Sequence, residues 1–480
     1  MSEAQKTFYV TTPIFYPNAK LHLGHAYTTT LCDVIARYHR LVGEKTYFLT
    51  GSDENTQKMV DAARKEGKEP LQFLDEIVAK FAALFRELNI SYDQFIRTTD
   101  QEKHWPGAQA IWKKLVEAGD LYKSEYEGLY CVGHEAFITE KDLVDGKCPD
   151  HGTVPERLKE DNYFFRLSKY TEAIKHKIES GELCIVPETR KKEILSLLSE
   201  GLQDVSFSRP RKMDWPQGLG VPVPGDASQV MYVWCDALSN YITALGYGRD
   251  DALYREFWPG MHVTGKDILR FHAAIWPAML LSAGLPLPHT LLVHGFITSG
   301  GKKMSKTLGN VIDPEELLAE YGTEAVRYFL MRHISPFEDG DITRESFKTA
   351  YNADLANGLG NVAARIMTLA EKHLSEPIER PEATGFPKEY IDAIEAFELN
   401  KALEYVWARI QGMDQRINTE EPFKLVKTEP EAGKRVIAEL ATELYLVTRM
   451  LSPFMPETNS KLKVTILANK KPENLFPRKD

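Results

Sequence analysis

The sequence of 480 residues contains little cysteine. Its five cysteines are an odd number in a long chain: Cys32, Cys131, Cys148, Cys184 and Cys235. Domains that depend on disulfides are usually small, secreted and much richer in cysteine. The composition therefore disfavours a disulfide scaffold and fits a protein of a reducing compartment.

The sequence also lacks long apolar runs. The apolar stretch at residues 275–287 is interrupted by Pro277 and Pro286, so it is a poor candidate for a membrane helix. Residues 1–5 are polar and lack the basic and apolar regions of a signal peptide. We expect a cytoplasmic protein without a membrane partner.

An excess of positive charge is absent as well. Lys and Arg number 59 against 69 Asp and Glu, which gives a formal charge of −10. A protein that coats nucleic acid needs net positive charge, so any RNA contact must be local, and no DNA partner is expected. The first predicted strand is not followed by Gly-x-Gly-x-x-Gly, which disfavours a nicotinamide or flavin enzyme.

What the sequence does contain is a strand-to-helix turn near its start, at residues 13–25. Residues 7–11 are aromatic and β-branched, as in a buried strand, and residues 26–41 carry apolar positions at helical spacing. In an open parallel sheet, ligands bind where the carboxyl ends of strands meet helix N-termini, which favour negative charge. The turn therefore predicts a phosphate site, and the length of the chain predicts two or three domains.

Two short motifs carry the candidate chemistry. His22 and His25 stand one helical turn apart and can each donate a hydrogen bond, and Gly24 lets a base or sugar approach the backbone. Alone, this pattern could equally be two surface histidines beside a turn glycine. Far downstream, a predicted strand at residues 290–298 enters the loop at residues 299–307, which contains Lys-Met-Ser-Lys and could be a solvated basic turn.

A turn-rich segment from residue 119 predicts a metal site. Cys131 and His134 are separated by two residues, as are Cys148 and His151. Two tight turns with this spacing can place four donors tetrahedrally around Zn²⁺. Four protein ligands leave no open coordination position, so we expect one structural zinc ion per chain.

Together, His-Leu-Gly-His and Lys-Met-Ser-Lys resemble the paired signatures of class I aminoacyl-tRNA synthetases. Residues 52–56, Ser-Asp-Glu-Asn-Thr, resemble the Thr-Asp-Glu-His-Gly run of methionyl-tRNA synthetases, with Asn55 and Thr56 in place of His and Gly. Trp-x-x-Ala-x-x-x-Tyr at residues 234–241 and Gly-Lys-Asp-Ile-x-x-x-His at residues 265–272 resemble the methionine pocket of the same family.

The resemblance implies the site residues. For catalysis it implies His22, His25, Lys303 and Lys306. For ATP it implies the same four with Gly24, Gly265, Met304 and Ser305. For methionine it implies Ile14, Tyr16, Asp53, Trp234, Ala237, Leu238, Tyr241, Ile268 and His272. Two alternatives follow from the residues alone: Asp53 is equally suited to cap the helix that follows it, and aromatic residues in such elements are usually core.

From residue 347 onward, apolar stripes at helical spacing predict an antiparallel helical bundle. Its start resembles the anticodon-binding bundle of these enzymes, in which Asn361 and Arg365 match anticodon readers. Phe423 stands where the family usually has Trp. The alternatives are a solvated polar edge for the first two and simple packing for Phe423.

We therefore predict an α/β fold: a Rossmann-like, doubly wound parallel sheet with an inserted zinc-knuckle connective domain, followed by an all-α helical bundle. The predicted boundaries are 1–118 and 226–298 for the two catalytic halves, 119–225 for the insertion, 299–346 for the lysine loop and connector, and 347–480 for the bundle.

The resemblance implies a two-step ligase. L-methionine and Mg²⁺-bound ATP give methionyl-adenylate and pyrophosphate, and methionine then passes to the 3′ end of tRNA(Met), including the initiator. We expect a monomer, because the appended tRNA-binding domain of dimeric relatives is not present in the sequence. One competing hypothesis is another class I synthetase, such as the cysteinyl enzyme, with zinc in the active site. A second is a non-catalytic tRNA-binding protein.

Overall fold

The computed structural model describes residues 5–131, 136–138, 140–149, 152–213, 215–304, 310–382 and 385–480. Strands and helices alternate at first. They are β1 (Thr7–Thr11), α1 (Leu23–Leu41), β2 (Lys45–Ser52), α2 (Gln57–Lys65), α3 (Pro70–Glu87), β3 (Gln94–Arg97) and α4 (Trp105–Glu117).

The next segment is dominated by antiparallel strands with two helices. Its elements are β4 (Leu121–Cys131), β5 (Ala136–Ile138), β6 (Glu156–Phe165), α5 (Thr171–Glu179), β7 (Cys184–Val186), α6 (Glu188–Glu200), β8 (Val205–Ser206), β9 (Ser208–Pro210) and β10 (Pro222–Val223). Strands β4 and β6 form a long hairpin that β5 and β8 flank, in the order β5-β4-β6-β8.

The chain then returns to alternating elements. They are β11 (Asp226–Met231), α7 (Val233–Thr243), α8 (Ala252–Phe257), β12 (Met261–Gly265), α9 (Trp276–Ser282), β13 (Thr290–His294), β14 (Ile297–Ser299), β15 (Lys302–Lys303), α10 (Pro314–Tyr321), α11 (Thr323–Arg332) and β16 (Gly340–Asp341).

The last part is helical. It consists of α12 (Arg344–Ala350), a π-helix (Tyr351–Gly360), α13 (Asn361–His373), α14 (Lys388–Glu395), α15 (Leu399–Glu420), α16 (Pro422–Thr428), α17 (Pro430–Leu451) and α18 (Pro456–Leu467). The apolar stripe along α17 is buried as predicted, from Leu440 through Leu444 to Leu451. No helix in the described part of the chain combines the length and apolar character that crossing a bilayer requires.

The predicted parallel sheet is confirmed. Its order is β3-β2-β1-β12-β13-β7, and every pair is parallel. The chain runs outward from β1 through β2 to β3 and later returns on the other side of β1 with β12. The switch point is therefore between β1 and β12, where an open parallel sheet presents its ligand crevice.

Both faces of the sheet are covered, which explains its apolar strands. Neighbouring residues of β1 point in opposite directions: Tyr9 packs in one buried cluster with Trp112 and Trp276, whereas Val10 packs in the other with Phe81. The cluster around Val10 continues without interruption through α11 into the helical bundle.

Two expectations need correction. Residues 230–234, Val-Met-Tyr-Val-Trp, predict a strand, but β11 ends at Met231, and Val233 and Trp234 already belong to α7. The strand predicted at residues 290–298 is two strands, β13 and β14, separated at Gly295, where a Cβ would lie 2.2 Å from the Glu338 carbonyl oxygen. Strand β7, within residues 119–225, also pairs with β13 and so joins the parallel sheet.

One buried arginine joins the bundle to the nucleotide-binding half. Arg327 on α11 is fully buried and forms an ion pair of 2.7 Å with the buried Asp33 on α1. Its guanidinium also donates to the carbonyl oxygens of Leu88 at 3.0 Å, Pro453 at 3.0 Å and Phe454 at 2.9 Å. The flat, five-donor guanidinium can satisfy all these acceptors at once, whereas a lysine ammonium cannot.

We expect Arg327→Ala to lower the free energy of unfolding by about 3 to 5 kcal/mol, because the buried Asp33 carboxylate would lose its charged partner. Chemical denaturation measures this change. The control is Arg416→Ala on the surface of α15, whose ion pairs with Glu420 and Glu439 are half exposed and should contribute about 1 kcal/mol or less. Equal effects of the two substitutions would contradict the role given to Arg327.

Candidate functional site

A cavity of about 940 Å³ opens at the switch point, at the carboxyl ends of β1, β2, β12 and β13. It brings together residues from four distant parts of the chain. The predicted ATP-binding and methionine-binding residues that line it are Ile14, Tyr16, His22, Gly24, His25, Asp53, Trp234, Ala237, Leu238, Tyr241, Gly265, Ile268, His272 and Met304.

The two histidines of the opening motif cap helix α1. His22 is the N-cap residue, and its Nδ1 accepts the Gly24 N–H at 3.1 Å. The Nδ1 of His25 accepts the His22 N–H at 3.1 Å, and the two rings stack with centroids 3.8 Å apart. Because each Nδ1 accepts a hydrogen bond, the ring proton of each neutral imidazole is on Nε2.

The electrostatics keep His25 uncharged. Burial and the neighbouring His22 hold the pKa of His25 well below its usual value, so its imidazole is neutral at pH 7. The ring therefore acts as a hydrogen-bond donor through Nε2–H and not as a cation. Gly24 is required here for packing, since a Cβ at this position would lie 2.9 Å from Cε1 of His22. The sequence had suggested only close approach of a ligand.

The far wall of the cavity is formed by α7 and the π-helical turn at Phe271–Ile275. The ring of Trp234 stacks on that of Phe271, with centroids 3.7 Å apart, and the hydroxyl of Tyr241 is 2.7 Å from Nε2 of His272. The Nδ1–H of His272 donates to the Ile268 carbonyl oxygen at 2.9 Å, so its Nε2 accepts from Tyr241. Burial lowers the pKa of His272 to about 4. The pair is neutral and internally satisfied beside an apolar pocket.

Asp53 belongs to the cavity and does not cap a helix. Helix α2 begins at Gln57 after the N-cap residue Thr56. Asp53 is 3% exposed, and its backbone N–H donates to the Phe15 carbonyl oxygen at 2.9 Å. The capping alternative is thus excluded, and Asp53 lines the cavity just after the end of β2.

The lysine motif begins on a tight hairpin. Gly300 and Gly301 have φ angles of +63° and +70°, as a two-residue turn between β14 and β15 requires. The Gly301 N–H donates to Asp341 at 2.8 Å, and Met304 lines the cavity. The backbone of Lys303 lies in β15. The predicted residues Ser305 and Lys306 lie outside the described residues.

Of the four residues of the metal motif, the structure describes the two cysteines. Cys131 is 0% exposed at the end of β4, and Cys148 is 1% exposed. The Gly152 N–H donates to the Cys148 carbonyl oxygen at 2.7 Å, and the Cys148 N–H donates to the Thr153 carbonyl oxygen at 2.9 Å. His134 and His151 lie outside the described residues. Among the residues that the structure does describe, no three metal-binding side chains come together.

The predicted anticodon residues lie at one end of the bundle. Arg365 on α13 forms an ion pair with Asp414 and donates to Asn418 Oδ1 at 2.7 Å. Asn361 at the start of α13 is exposed. Phe423 is 39% exposed on α16, which does not support the alternative that it is core.

Comparisons with known proteins agree with these features. The family model described as "tRNA synthetases class I (M)" matches residues 8–157 and 150–367. The methionine–tRNA ligase of Clostridium acetobutylicum is 44% identical over 483 aligned residues, 97% of this chain and 74% of the relative. The chain belongs to the methionyl-tRNA synthetase family.

Two further relatives support the same family assignment. The methionine–tRNA ligase of Thermotoga maritima is 40% identical over 97% of this chain and 76% of its own. A solved structure of Mycobacterium tuberculosis methionyl-tRNA synthetase in complex with methionyl-adenylate has a TM-score of 0.88 and 36% identity, and the match covers 99% of both chains.

Two residues at the cavity were not predicted from sequence: His294, which lines it, and Phe271, which stacks on Trp234. His294 ends β13, lines the cavity, and its Nε2 lies 2.8 Å from the Thr28 hydroxyl on α1. Its Nδ1–H donates to the Gly295 carbonyl oxygen at 2.7 Å, and burial lowers its pKa. A histidine at the end of a predicted central strand was a usable signal. Phe271, which stacks on Trp234, had no such signal, because its place depends on the π-helical turn.

We expect Tyr241→Phe to lower the ratio of kcat/KM for methionine over norleucine by about tenfold, because His272 Nε2 would lose its donor beside the pocket. His272→Ala should do the same. Amino-acid-dependent pyrophosphate exchange measures kcat/KM for both amino acids. The control is Tyr390→Phe, which removes a buried hydroxyl that donates to the Met450 carbonyl oxygen at 2.7 Å in the bundle. Unchanged ratios in both pocket variants would show that these groups do not select the thioether.

Proposed function

We propose that this chain is an ATP-dependent methionine–tRNA ligase that forms methionyl-adenylate and transfers methionine to tRNA(Met). The observation that carries the proposal is a single cavity that joins two stacked histidines at a helix N-terminus to an apolar aromatic wall. The first feature suits phosphate oxygens, and the second suits a thioether side chain. The M. tuberculosis relative binds methionyl-adenylate in its solved structure.

The roles of the site residues follow from their positions. Asp53 would hold the ammonium group of methionine, and the wall of Trp234, Ala237 and Tyr241 would enclose its side chain. The methionine carboxylate would then face the α-phosphate of ATP without any side-chain nucleophile. The N-terminal end of α1 and the Nε2–H groups of His22 and His25 would donate to phosphate oxygens.

Charge at the phosphates would come from the lysine loop. Lys303 and Lys306 would stabilise the negative charge that shifts to pyrophosphate in the transition state, and Mg²⁺ would enter bound to ATP. Catalysis of this step is therefore positioning and electrostatic stabilisation. No cysteine is among the described residues that line the cavity, which disfavours the cysteinyl alternative.

The proposal includes a structural zinc ion, held by Cys131, His134, Cys148 and His151. The two described thiols support it, because they are buried and thiolates are preferred zinc ligands. Zinc would supply a cross-link within the insertion and no catalytic chemistry. The domain boundaries, the monomeric state and the cytoplasmic location stay predictions.

Pyrophosphate exchange with each amino acid tests the proposed activity. Exchange should depend on methionine and should be negligible with cysteine. Exchange with cysteine instead would favour the competing synthetase, and absence of exchange with every amino acid would favour a non-catalytic tRNA-binding protein.

We expect Lys306→Ala to slow adenylate formation roughly a hundredfold, because the transition state would lose about 3 kcal/mol of stabilisation. The affinity for methionine should change little. Single-turnover kinetics separate the two. The control is Lys302→Ala, an exposed lysine at the base of the same loop, which should leave the rate near that of the wild type. Loss of methionine affinity with an intact chemical step would contradict the role of Lys306.

We expect Cys148→Ser to reduce the zinc content of the purified protein from one ion per chain to well below one, because a hydroxyl is a poor zinc ligand. Elemental analysis measures this. Cys184→Ser is the matched control, since Cys184 is exposed on β7 and should not affect zinc. Wild-type protein that contains no zinc after purification without chelators would contradict the proposed site.

We expect Phe423→Ala to weaken tRNA charging while pyrophosphate exchange stays nearly unchanged, because an exposed aromatic ring can stack on an unstacked anticodon base. Such stacking typically contributes about 1 to 3 kcal/mol. The measurement is the KM for tRNA alongside a thermal melt. Val464→Ala on α18 is the control, as another exposed apolar residue of the bundle. A lowered melting temperature with normal charging would mean that Phe423 only packs.

A further inference from the structure

Asn55 lies buried between the two chain segments that form the methionine pocket. It is 4% exposed and follows Asp53 by two residues. Its side-chain N–H groups donate to Asp236 Oδ2 at 2.7 Å and to the Thr98 carbonyl oxygen at 2.9 Å. Its side-chain oxygen accepts the Gly220 N–H at 2.8 Å. The small amide therefore connects three separate parts of the chain.

Its partner Asp236 belongs to helix α7, between the pocket residues Trp234 and Ala237. The carboxylate is 0% exposed, and its second oxygen lies 2.5 Å from Nε2 of the equally buried His104. Nδ1 of His104 is in turn 2.8 Å from the Thr243 hydroxyl, also on α7. A buried carboxylate is tolerated only when its oxygens are satisfied, so both contacts hold α7 in place.

The residues on either side of Asn55 in this loop have different contacts. Glu54 is anchored on the β3 side, by the Arg97 guanidinium at 2.7 Å and through its backbone N–H to Thr98 Oγ1 at 2.8 Å. Among the described residues, the side chain of Thr56 makes no capping bond to α2. The side chain of Asn55 thus joins this loop to α7 by a direct hydrogen bond.

We propose that Asn55 is a positioning residue for methionine. Through Asp236 it sets the distance between the loop that carries Asp53, on the amine side of the pocket, and the helix that carries the thioether side. This inference rests on the proposed function and deepens it. It also assigns a role to one of the three positions at which residues 52–56 depart from the Thr-Asp-Glu-His-Gly run.

The test is Asn55→Ala in methionine-dependent pyrophosphate exchange. Loss of the amide should raise the KM for methionine by about tenfold, because Asp236 loses a hydrogen bond and the two walls lose their link. The KM for ATP should stay within about twofold, since the phosphate end of the cavity is built from α1 and the lysine loop. Asn55→His, which can still donate an N–H to Asp236, should restore much of the methionine affinity.

A second variant covers the case in which Asn55→Ala does not fold. Thr243→Val keeps the shape of the side chain but removes the hydroxyl that contacts His104, and it should raise the KM for methionine by about threefold. Thr448→Val is the matched control. It also removes a buried hydroxyl, which donates to the Tyr445 carbonyl oxygen at 2.7 Å within α17, far from the pocket.

A KM for methionine that is unchanged in the folded variants would overturn the proposal. A parallel rise in the KM of both substrates, or the same rise in Thr448→Val, would also overturn it, because either result would indicate a general loss of stability. Wild-type protein without methionine-dependent exchange would instead overturn the proposed function itself.

Discussion

The pairing of β1 with β12 is the contact on which the site depends. Val10 pairs with Met261 and Thr11 with His262, which joins segments about 250 residues apart in the sequence. The Thr11 hydroxyl lies 2.9 Å from Nδ1 of His262, and the ring of His262 stacks on Tyr241 at 4.0 Å. The register of the two strands therefore also sets the position of Tyr241, in the proposed methionine-binding wall, relative to the turn that carries His22 and His25.

This arrangement makes burial the main electrostatic influence at the site. Desolvation holds the pKa of His25, His262, His272 and His294 below the usual value, so all four are neutral at pH 7. Neutral imidazoles can each donate one hydrogen bond and accept another, and the structure uses this to fix their ring orientations. A positively charged histidine could also bind phosphate, but its charge would be unfavourable beside the apolar wall of the proposed methionine pocket.

A second constraint connects the bundle to the nucleotide-binding half. Arg327 contacts Asp33 on α1, the loop after α3 and the loop after α17 in one buried cluster. Helix α1 begins with the histidine motif, so the helix that we propose presents the phosphate donors is directly attached to the helical end of the chain. The continuous core supports the same conclusion, because one buried cluster of the described residues spans both regions.

Much of the fold could be predicted from sequence. Strand β1 has the predicted bounds, because a run of aromatic and β-branched residues is a local signal. Asp313 caps a helix that begins at Pro314, and an Asp-Pro pair is likewise a local signal for a helix start. The errors fell where tertiary contacts decide. Val233 and Trp234 read as strand residues, but they begin α7 because that helix packs against α4 beneath the pocket.

The sequence by itself determined the class of site. The signals were the histidine motif, the lysine motif and the spacing of Trp234, Ala237 and Tyr241, all of which are properties of residue order. It could not determine which polar groups satisfy one another. Asn55 looked like a departure of uncertain role, yet it lies against Asp236, 181 residues away. His294 was likewise missed. Only the tertiary structure decided these roles, because a hydrogen bond between distant residues depends on the register of the sheet that brings them together, and local sequence does not encode that register.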